Sequence, residues 1–373
     1  MHRRDMTSTG SLRILMTGDT VGGVWTFTIE LASQLVRRGA EISLVTFGGK
    51  ASASQREEAA EIPGLDWWDS DRKLEWMEDP WQDLAISGEW LLSLERRLQP
   101  DVIHLNCYGH ASLPFKAPVV LTAHSCVASW WRAVKGEPLP DGWRRYREEV
   151  ERSLNAADIV TAPTNSMAAS LRENYDFTGN EIAVVPNGRN ACLFPKAPKQ
   201  PIIVTAGRLW DEAKNISAVA DIASTLPWPV YVFGEQRGPD GNSNTFPGCA
   251  LLGKLSTTEL ADWYCRASIF VLPAKYEPFG LSALEAALSG CVLVLGDIPS
   301  LREVWGESAI YVEPENREQI HSALRRLIDQ PGLRKEMARL AENRARSYST
   351  IRTTERYHDC YTRAIERRFA CAS

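Results

Sequence analysis

The sequence has no long hydrophobic run. Nowhere does it approach the roughly 18 uncharged apolar residues that a bilayer-spanning helix needs. Residues Met1 to Ser11 are polar and basic, and no apolar stretch with a small-residue cleavage site follows them. They read as a short lead-in and not as a secretory signal. The cysteines (Cys107, Cys126, Cys192, Cys249, Cys265, Cys291, Cys360 and Cys371) are scattered without a C-x-x-C pair. That argues against a zinc site or a disulfide framework and for a reducing cytoplasm. Six histidines are spread out, none at metal-ligand spacing. G-x-S-x-G and G-x-x-x-x-G-K-[ST] are missing, so hydrolase and P-loop readings lack support. G-x-G-x-x-G is missing too. From Gly18 the next glycines are Gly22 and Gly23, with no ribose-binding Asp at the standard spacing, which weakens a nicotinamide reading. A net charge of −5 gives bulk electrostatics no pull on nucleic acid.

What is present is an ordinary globular balance, 44% apolar and 24% charged, over 373 residues, enough for two cores. Arg13–Met16 reads as a strand running into the turn "TGDTVGG", then an amphipathic helix from about Trp25 to Arg38 stopped by Gly39. Glu41–Phe47 is the next strand. Further strand-like runs fall at Asp101–Leu105, Val119–Thr122, Ile159–Ala162 and Ile182–Val185. The pattern restarts with "IIVTAGRL" at Ile202, followed by "VYVFGE", "SIFVLPA", "CVLVLGD" and "AIYVEP". Two strand-helix series imply an α/β class with two facing Rossmann-like domains. The turn-rich stretch between Pro186 and Gln200 is the expected join. From Glu318 to Ala370 the chain is helical in character, interrupted at Ser347–Thr350. Ligands of such folds sit at the carboxyl ends of the strands, so two domains would enclose one cleft.

The strongest chemical signal is "EPFGLSALEAALSG", from Glu277 to Gly290, directly after an apolar strand. Pro278 and Gly280 allow a tight loop, and a helix starts near Leu281 or Ser282, where free N–H groups favour an anion. Two glutamates eight apart are commonplace by themselves. Placed as strand, loop and helix start, Glu277 can reach a bound sugar and Glu285 a ribose. "AGRLWDEAKN" (Ala206–Asn215) sets Arg208 and Lys214 after a strand, where two cations suit a diphosphate. Read alone they would be surface charges. His124 ends an apolar strand in "LTAHS"; a lone histidine is more often structural, so it counts only with the others. Gly22 and Gly23 let backbone approach a ligand closely. "DSD" (Asp69–Asp71) looks like a metal-diphosphate motif, but no strand is evident before it, so a surface loop is expected.

In combination and in order, "GGVWTF", "TAHS", "AADIVTAPTNSM", "VVPNG", "AGRLWDEAKN" and "EPFGLSALEA" resemble glycosyltransferase family 4, of the GT-B fold, over nearly the whole chain. The resemblance implies a retaining, metal-independent hexosyltransferase-type enzyme. Its donor would be a nucleotide-diphosphate sugar, and its acceptor a glycan, lipid-linked or small-molecule hydroxyl. No cofactor is implied. Residues 1–192 would form the acceptor-side domain, 193–347 the nucleotide-sugar domain, and 348–373 a helix crossing back to the first domain. Gly23 would approach the diphosphate, His124 the transferred sugar, and Arg208 with Lys214 would clamp the diphosphate. Glu277 would bond the sugar, with Phe279, Gly280 and Leu281 offering backbone donors and Glu285 holding the ribose. The base would lie near Leu251–Ser256. Two other readings stay open: a GT-B sugar-nucleotide epimerase or phosphorylase (the latter lacks a pyridoxal-binding lysine context), and a non-catalytic sugar-nucleotide-binding protein. The joint presence of these site residues argues against a decayed site. The Trp-rich segment 65–90 is read as core packing in helices. Residues 129–147, with Trp and Arg together, leave open peripheral contact with the inner face of the membrane or an acceptor groove.

Overall fold

The computed structural model describes residues 11–179, 182–238, 241 and 244–370. Two fully parallel sheets form. The first contains β1 (Arg13–Asp19), β2 (Glu41–Phe47), β3 (Asp66–Asp69), β4 (Val102–Leu105), β5 (Val119–Thr122), β6 (Ile159–Ala162) and β7 (Ile182–Val184). Its order is β3-β2-β1-β4-β5-β6-β7. The second contains β8 (Gln200–Ala206), β9 (Val230–Phe233), β10 (Ala250–Gly253), β11 (Ala267–Leu272), β12 (Val292–Gly296) and β13 (Ile310–Val312), ordered β10-β9-β8-β11-β12-β13. Helices cover both faces of each sheet. The central strands therefore read as unbroken apolar runs rather than alternating ones: β4, β5, β6 and β11 are buried at every position.

The strand order reverses beside β1 in the first sheet and beside β8 in the second. At such a reversal the connecting helices leave on opposite faces, and a crevice opens at the carboxyl ends of the strands. The two crevices face one another. Their position follows from topology before any side chain is considered.

The expected return of the last helix is met. Thr350–Ala370 lays Tyr357, Cys360, Tyr361 and Ala364 against Ile14, Met16 and Phe27 of the first domain. A polar seam runs through this contact. The Tyr361 hydroxyl lies 2.8 Å from His104 Nδ1, and the Thr122 hydroxyl 2.8 Å from His104 Nε2. Burial pushes the His104 pKa down to about 3, so the imidazole is neutral and both its nitrogens are satisfied.

The chain crosses between domains twice, and the two crossings touch. The Arg189 N–H donates to the Tyr348 carbonyl (3.1 Å), and Thr353 Oγ1 donates to the Pro186 carbonyl (2.9 Å). Gly188 is required for this approach, because a Cβ there would overlap the Ser349 carbonyl. Backbone cannot swing aside as a side chain can. Gly188→Ala is expected to destabilise the protein by about 1–3 kcal/mol, in the range of an overpacked core. Thermal unfolding reads this directly, and an unchanged midpoint would show that the crossings separate freely.

Two expectations need correction. A strand, β3, does precede "DSD", and Asp69 is its last residue. Asp69 bonds the Ala51 N–H (3.1 Å) and Arg56 (2.5 Å), which is a structural role. The Trp-rich segment is not all helical, since Trp67 and Trp68 lie on β3; they and Trp76, Trp81 and Trp90 are nonetheless half-buried against the core. Ala250–Gly253 is an edge strand that its sequence does not announce. No described helix is long and apolar enough to cross a membrane.

Candidate active site

A cavity of about 330 Å³ lies between the carboxyl ends of the two sheets. Gly23, His124, Arg208, Lys214, Glu277, Phe279, Gly280, Leu281 and Glu285 all line it. Residues that the sequence spreads over more than two thirds of the chain thus converge on one space. Lys254, Leu255 and Ser256 line it as well, where a base was expected.

On the first-domain side, β1 hands over to the helix Gly23–Arg37. Gly22 caps it with φ 72°, a left-handed conformation that suits glycine. The space is tight: a Cβ on Gly22 would lie 3.5 Å from Arg208 Cδ, and one on Gly23 3.3 Å from Leu281 Cδ1. The unpaired N–H groups of the first helical turn therefore open toward the second domain. His124 stands at the end of β5 against the edge of Phe27. Asn106 Nδ2 donates to the Thr17 carbonyl, which fixes its amide and turns Oδ1 toward His124 Nε2 at 2.8 Å. Nε2 therefore carries the proton, and Nδ1 keeps a lone pair for a hydroxyl. Burial holds the His124 pKa down to about 3, so the ring is neutral at physiological pH.

On the second-domain side the cations are already engaged. Arg208 Nη2 pairs with Asp211 Oδ2 at 2.7 Å, and Lys214 Nζ with Glu277 Oε2 at 2.6 Å. Burial works against the Arg208 charge, but Asp211, Glu277 and Asp19 outweigh it and raise its pKa. Arg208 Nε is buried with no hydrogen-bond partner, so the fork has an unused donor. Glu277 Oε1 accepts from the N–H groups of Phe279 (3.4 Å) and Gly280 (3.0 Å). Those two donors thus meet Glu277, not the cavity as expected. The E-P-F-G turn folds the first residue's carboxylate back over the start of the helix Leu281–Leu288, whose cap Gly280 sits at φ 90°.

Several participants were not anticipated. Glu285 is buried on that helix and pairs with Arg189, whose Nε is 3.0 Å from Oε1. Arg189 also pairs with Glu30, on the first-domain helix. Glu58 bridges the domains near the expected base position, accepting from Trp25 Nε1 (2.6 Å) and Thr257 Oγ1 (3.0 Å). Trp130 Nε1 donates across the cleft to Asp211 (2.8 Å), and Lys135 pairs with Glu212 (2.6 Å). These two contacts tie Trp130 and Lys135 to the second domain. Asp19, at the end of β1, is buried, and burial pushes its pKa up to about 8. Only "VVPNG" pointed near Arg189. Nothing in the sequence pairs Glu30 with it, or Glu58 with Trp25 and Thr257. Among the described residues no three His, Cys, Asp or Glu side chains group as metal ligands would.

Comparisons with known proteins bear on the family and the fold. Residues 21–191 match the model described as Glycosyltransferase Family 4, and residues 200–330 that described as Glycosyl transferases group 1. The D-inositol 3-phosphate glycosyltransferase of Kineococcus radiotolerans is 24% identical over 95% of this chain and 93% of its own. The glycogen synthase of Mycobacterium tuberculosis is 29% identical over 69% of this chain and 67% of its own. Among solved structures, a sucrose-phosphate synthase from Thermosynechococcus elongatus superposes with a TM-score of 0.78 at 17% identity. It covers 97% of this chain and all (100%) of that one. Anabaena Alr3699/HepE, solved with UDP and glucose, gives 0.72 at 13% identity, over 94% of this chain and 99% of that one.

Proposed function

The chain belongs to glycosyltransferase family 4 and is a glycosyltransferase of the GT-B type, and from that we propose that it transfers a sugar with retention from a nucleoside-diphosphate sugar to an acceptor hydroxyl, without a metal ion. The acceptor is a glycan, a lipid-linked sugar or a small molecule. The described cysteines are free thiols, which suits a reducing, cytoplasmic setting.

One observation carries the reading. A helix start from one domain and two cations from the other face a single cavity. An anion placed there meets N–H groups at Gly23 and positive charge at Arg208 and Lys214, so a diphosphate fits without a divalent ion. Such an anion would draw Lys214 from Glu277 and Arg208 from Asp211. Glu277 is then released toward the sugar. Neutral His124 offers Nδ1 to a sugar hydroxyl. In the same-face substitution, the bond from the anomeric carbon to the phosphate oxygen breaks as the bond to the acceptor oxygen forms. The acceptor proton passes to the leaving phosphate oxygen. Arg208 and Lys214 stabilise the charge that grows there, the largest usual contribution to such catalysis.

The test begins with UDP-, GDP- and ADP-sugars in a thermal-shift screen, since a ligand of the native state raises the melting temperature. The stabilising donor is then incubated with candidate acceptors, and NMR reads the anomeric configuration of the product. Retained configuration and equal rates in buffer and in chelator are expected. Inversion, or turnover lost in chelator and restored only by Mg²⁺ or Mn²⁺, would defeat the corresponding part of the proposal.

A further inference from the structure

Behind the cavity, one arginine holds together residues that meet from three parts of the chain. Arg189 lies in the crossing after β7, with its side chain 3% exposed. It pairs with Glu30 on the helix Gly23–Arg37 and with Glu285 on the helix Leu281–Leu288. Its guanidinium also lies over the Phe194 ring, 5.0 Å from the centroid. The Glu30 carboxylate is held in turn by the Asn190 N–H (3.1 Å). Arg189 Nε is 3.0 Å from Glu285 Oε1, but its N–H is not aligned for a hydrogen bond. Charge, rather than directed bonding, joins the two.

We infer that Arg189 is a positioning residue for the nucleotide: it balances the charge of the Glu285 carboxylate that faces the cavity, and through Glu30 it ties that carboxylate to the helix beginning at Gly23. The inference rests on the reading of Glu285 as the group that meets the ribose. Two buried carboxylates share one cation here. Glu58 faces them from the helix Ala53–Ala60, and Tyr264 lies near from the helix Thr257–Arg266. Burial pushes the Glu285 carboxyl above its ordinary range, Arg189 pulls it back, and Glu58 adds to the rise. Burial likewise pushes Glu30 up to about 7 against the pull of Arg189. With Arg189 gone, Glu285 takes up a proton at higher pH than before. A protonated carboxyl is a poorer acceptor for ribose hydroxyls. Nucleotide affinity should then fall more steeply with falling pH than in the wild type, where Arg189 still offsets the rise of both carboxyls.

The experiment titrates UDP, ADP and GDP by calorimetry into the wild type, R189M, R189K and E285Q across about pH 6 to 9. Each unit of carboxyl shift changes the ionised fraction below the pKa by about tenfold. For the nucleotide that the wild type binds, R189M is therefore expected to be at least about tenfold weaker at the acid end than at the alkaline end. R189K keeps the charge and should restore the wild-type profile. An R189M profile no steeper than that of the wild type, whatever its absolute affinity, overturns the inference, because a purely structural loss does not titrate. If E285Q is weakened while R189M is no steeper than the wild type, the inference fails and the ribose reading stands. If E285Q binds like the wild type, the ribose reading itself fails, and the inference with it. Should R189M not fold, R189M/E30Q removes one charge of each sign, and the same pH dependence is required of it.

Discussion

Lys214→Ala is expected to lower turnover by roughly 10²–10³-fold, about 2.7–4 kcal/mol, the usual cost of removing one preorganised donor to a charge that grows in the transition state. The geometry gives two reasons for an effect at the upper end. Lys214 lines the cavity beside Glu277, both side chains only 12% exposed, so little water can replace the lost ammonium. Its removal also leaves Glu277 as an uncompensated carboxylate facing an incoming diphosphate. Free nucleoside diphosphate should bind less well too, but by a smaller factor than turnover falls, because charge on the leaving group increases as the glycosidic bond breaks. The double variant Lys214→Ala with Glu277→Gln separates the two contributions: it should regain part of the nucleotide affinity but not the turnover. Arg208→Lys should stay impaired, since Arg208 holds Asp211 while keeping Nε unpaired, and an ammonium cannot serve both sides. Steady-state kinetics with calorimetry decides this. Near-normal turnover in Lys214→Ala would remove the diphosphate clamp from the mechanism.

How much of this was readable in the sequence depends on whether the information is local. β2 and β5 are found at the residues their patterns predict, because a buried parallel strand is a short apolar run bounded by turn formers. β3 and β10 escape the same logic. Each lies at a sheet edge; "DWWD" has acidic ends, and Leu251 and Leu252 on β10 are exposed. The site divides in the same way. Gly23, Arg208, Lys214 and Glu277 each follow a strand end or open a helix, and Glu285 sits one turn into the helix that Gly280 caps, so their common placement is a consequence of α/β topology. What those side chains touch is another matter. The pairing of Lys214 with Glu277 spans two strand-end loops, that of Arg208 with Asp211 is hidden in a one-turn element, and that of Glu285 with Arg189 and Glu30 needs three separate segments. Periodicity carries no signal for contacts of this kind. The same holds for Trp130, whose partner Asp211 lies in the other domain.

The two cavity glutamates should separate cleanly by ligand. Glu277→Gln is expected to depress turnover of the complete donor while leaving free nucleoside diphosphate affinity unchanged or slightly tighter. The turn can survive, because the amide oxygen of the substituted side chain can still accept from Phe279 and Gly280, as Glu277 Oε1 does. What disappears is the charge opposite Lys214, and an ammonium freed from that pair is more available to a diphosphate. The sugar, however, loses its carboxylate. Glu285→Gln should behave in the opposite sense. Ribose is common to donor and nucleoside diphosphate, so both should weaken together, by about 1–3 kcal/mol for a buried carboxylate contact. Glu285 also balances Arg189, and its neutralisation leaves that arginine with Glu30 as its remaining carboxylate partner. A loss of folding stability would mimic a loss of binding, so the melting temperature of each variant must be measured beside its affinity. Calorimetry with donor and with nucleoside diphosphate gives four dissociation constants, and the assignment demands a crossed pattern among them. Equal loss of nucleoside diphosphate affinity in both variants, with melting temperatures unchanged, would place both carboxylates on the nucleotide and leave the sugar to His124 alone.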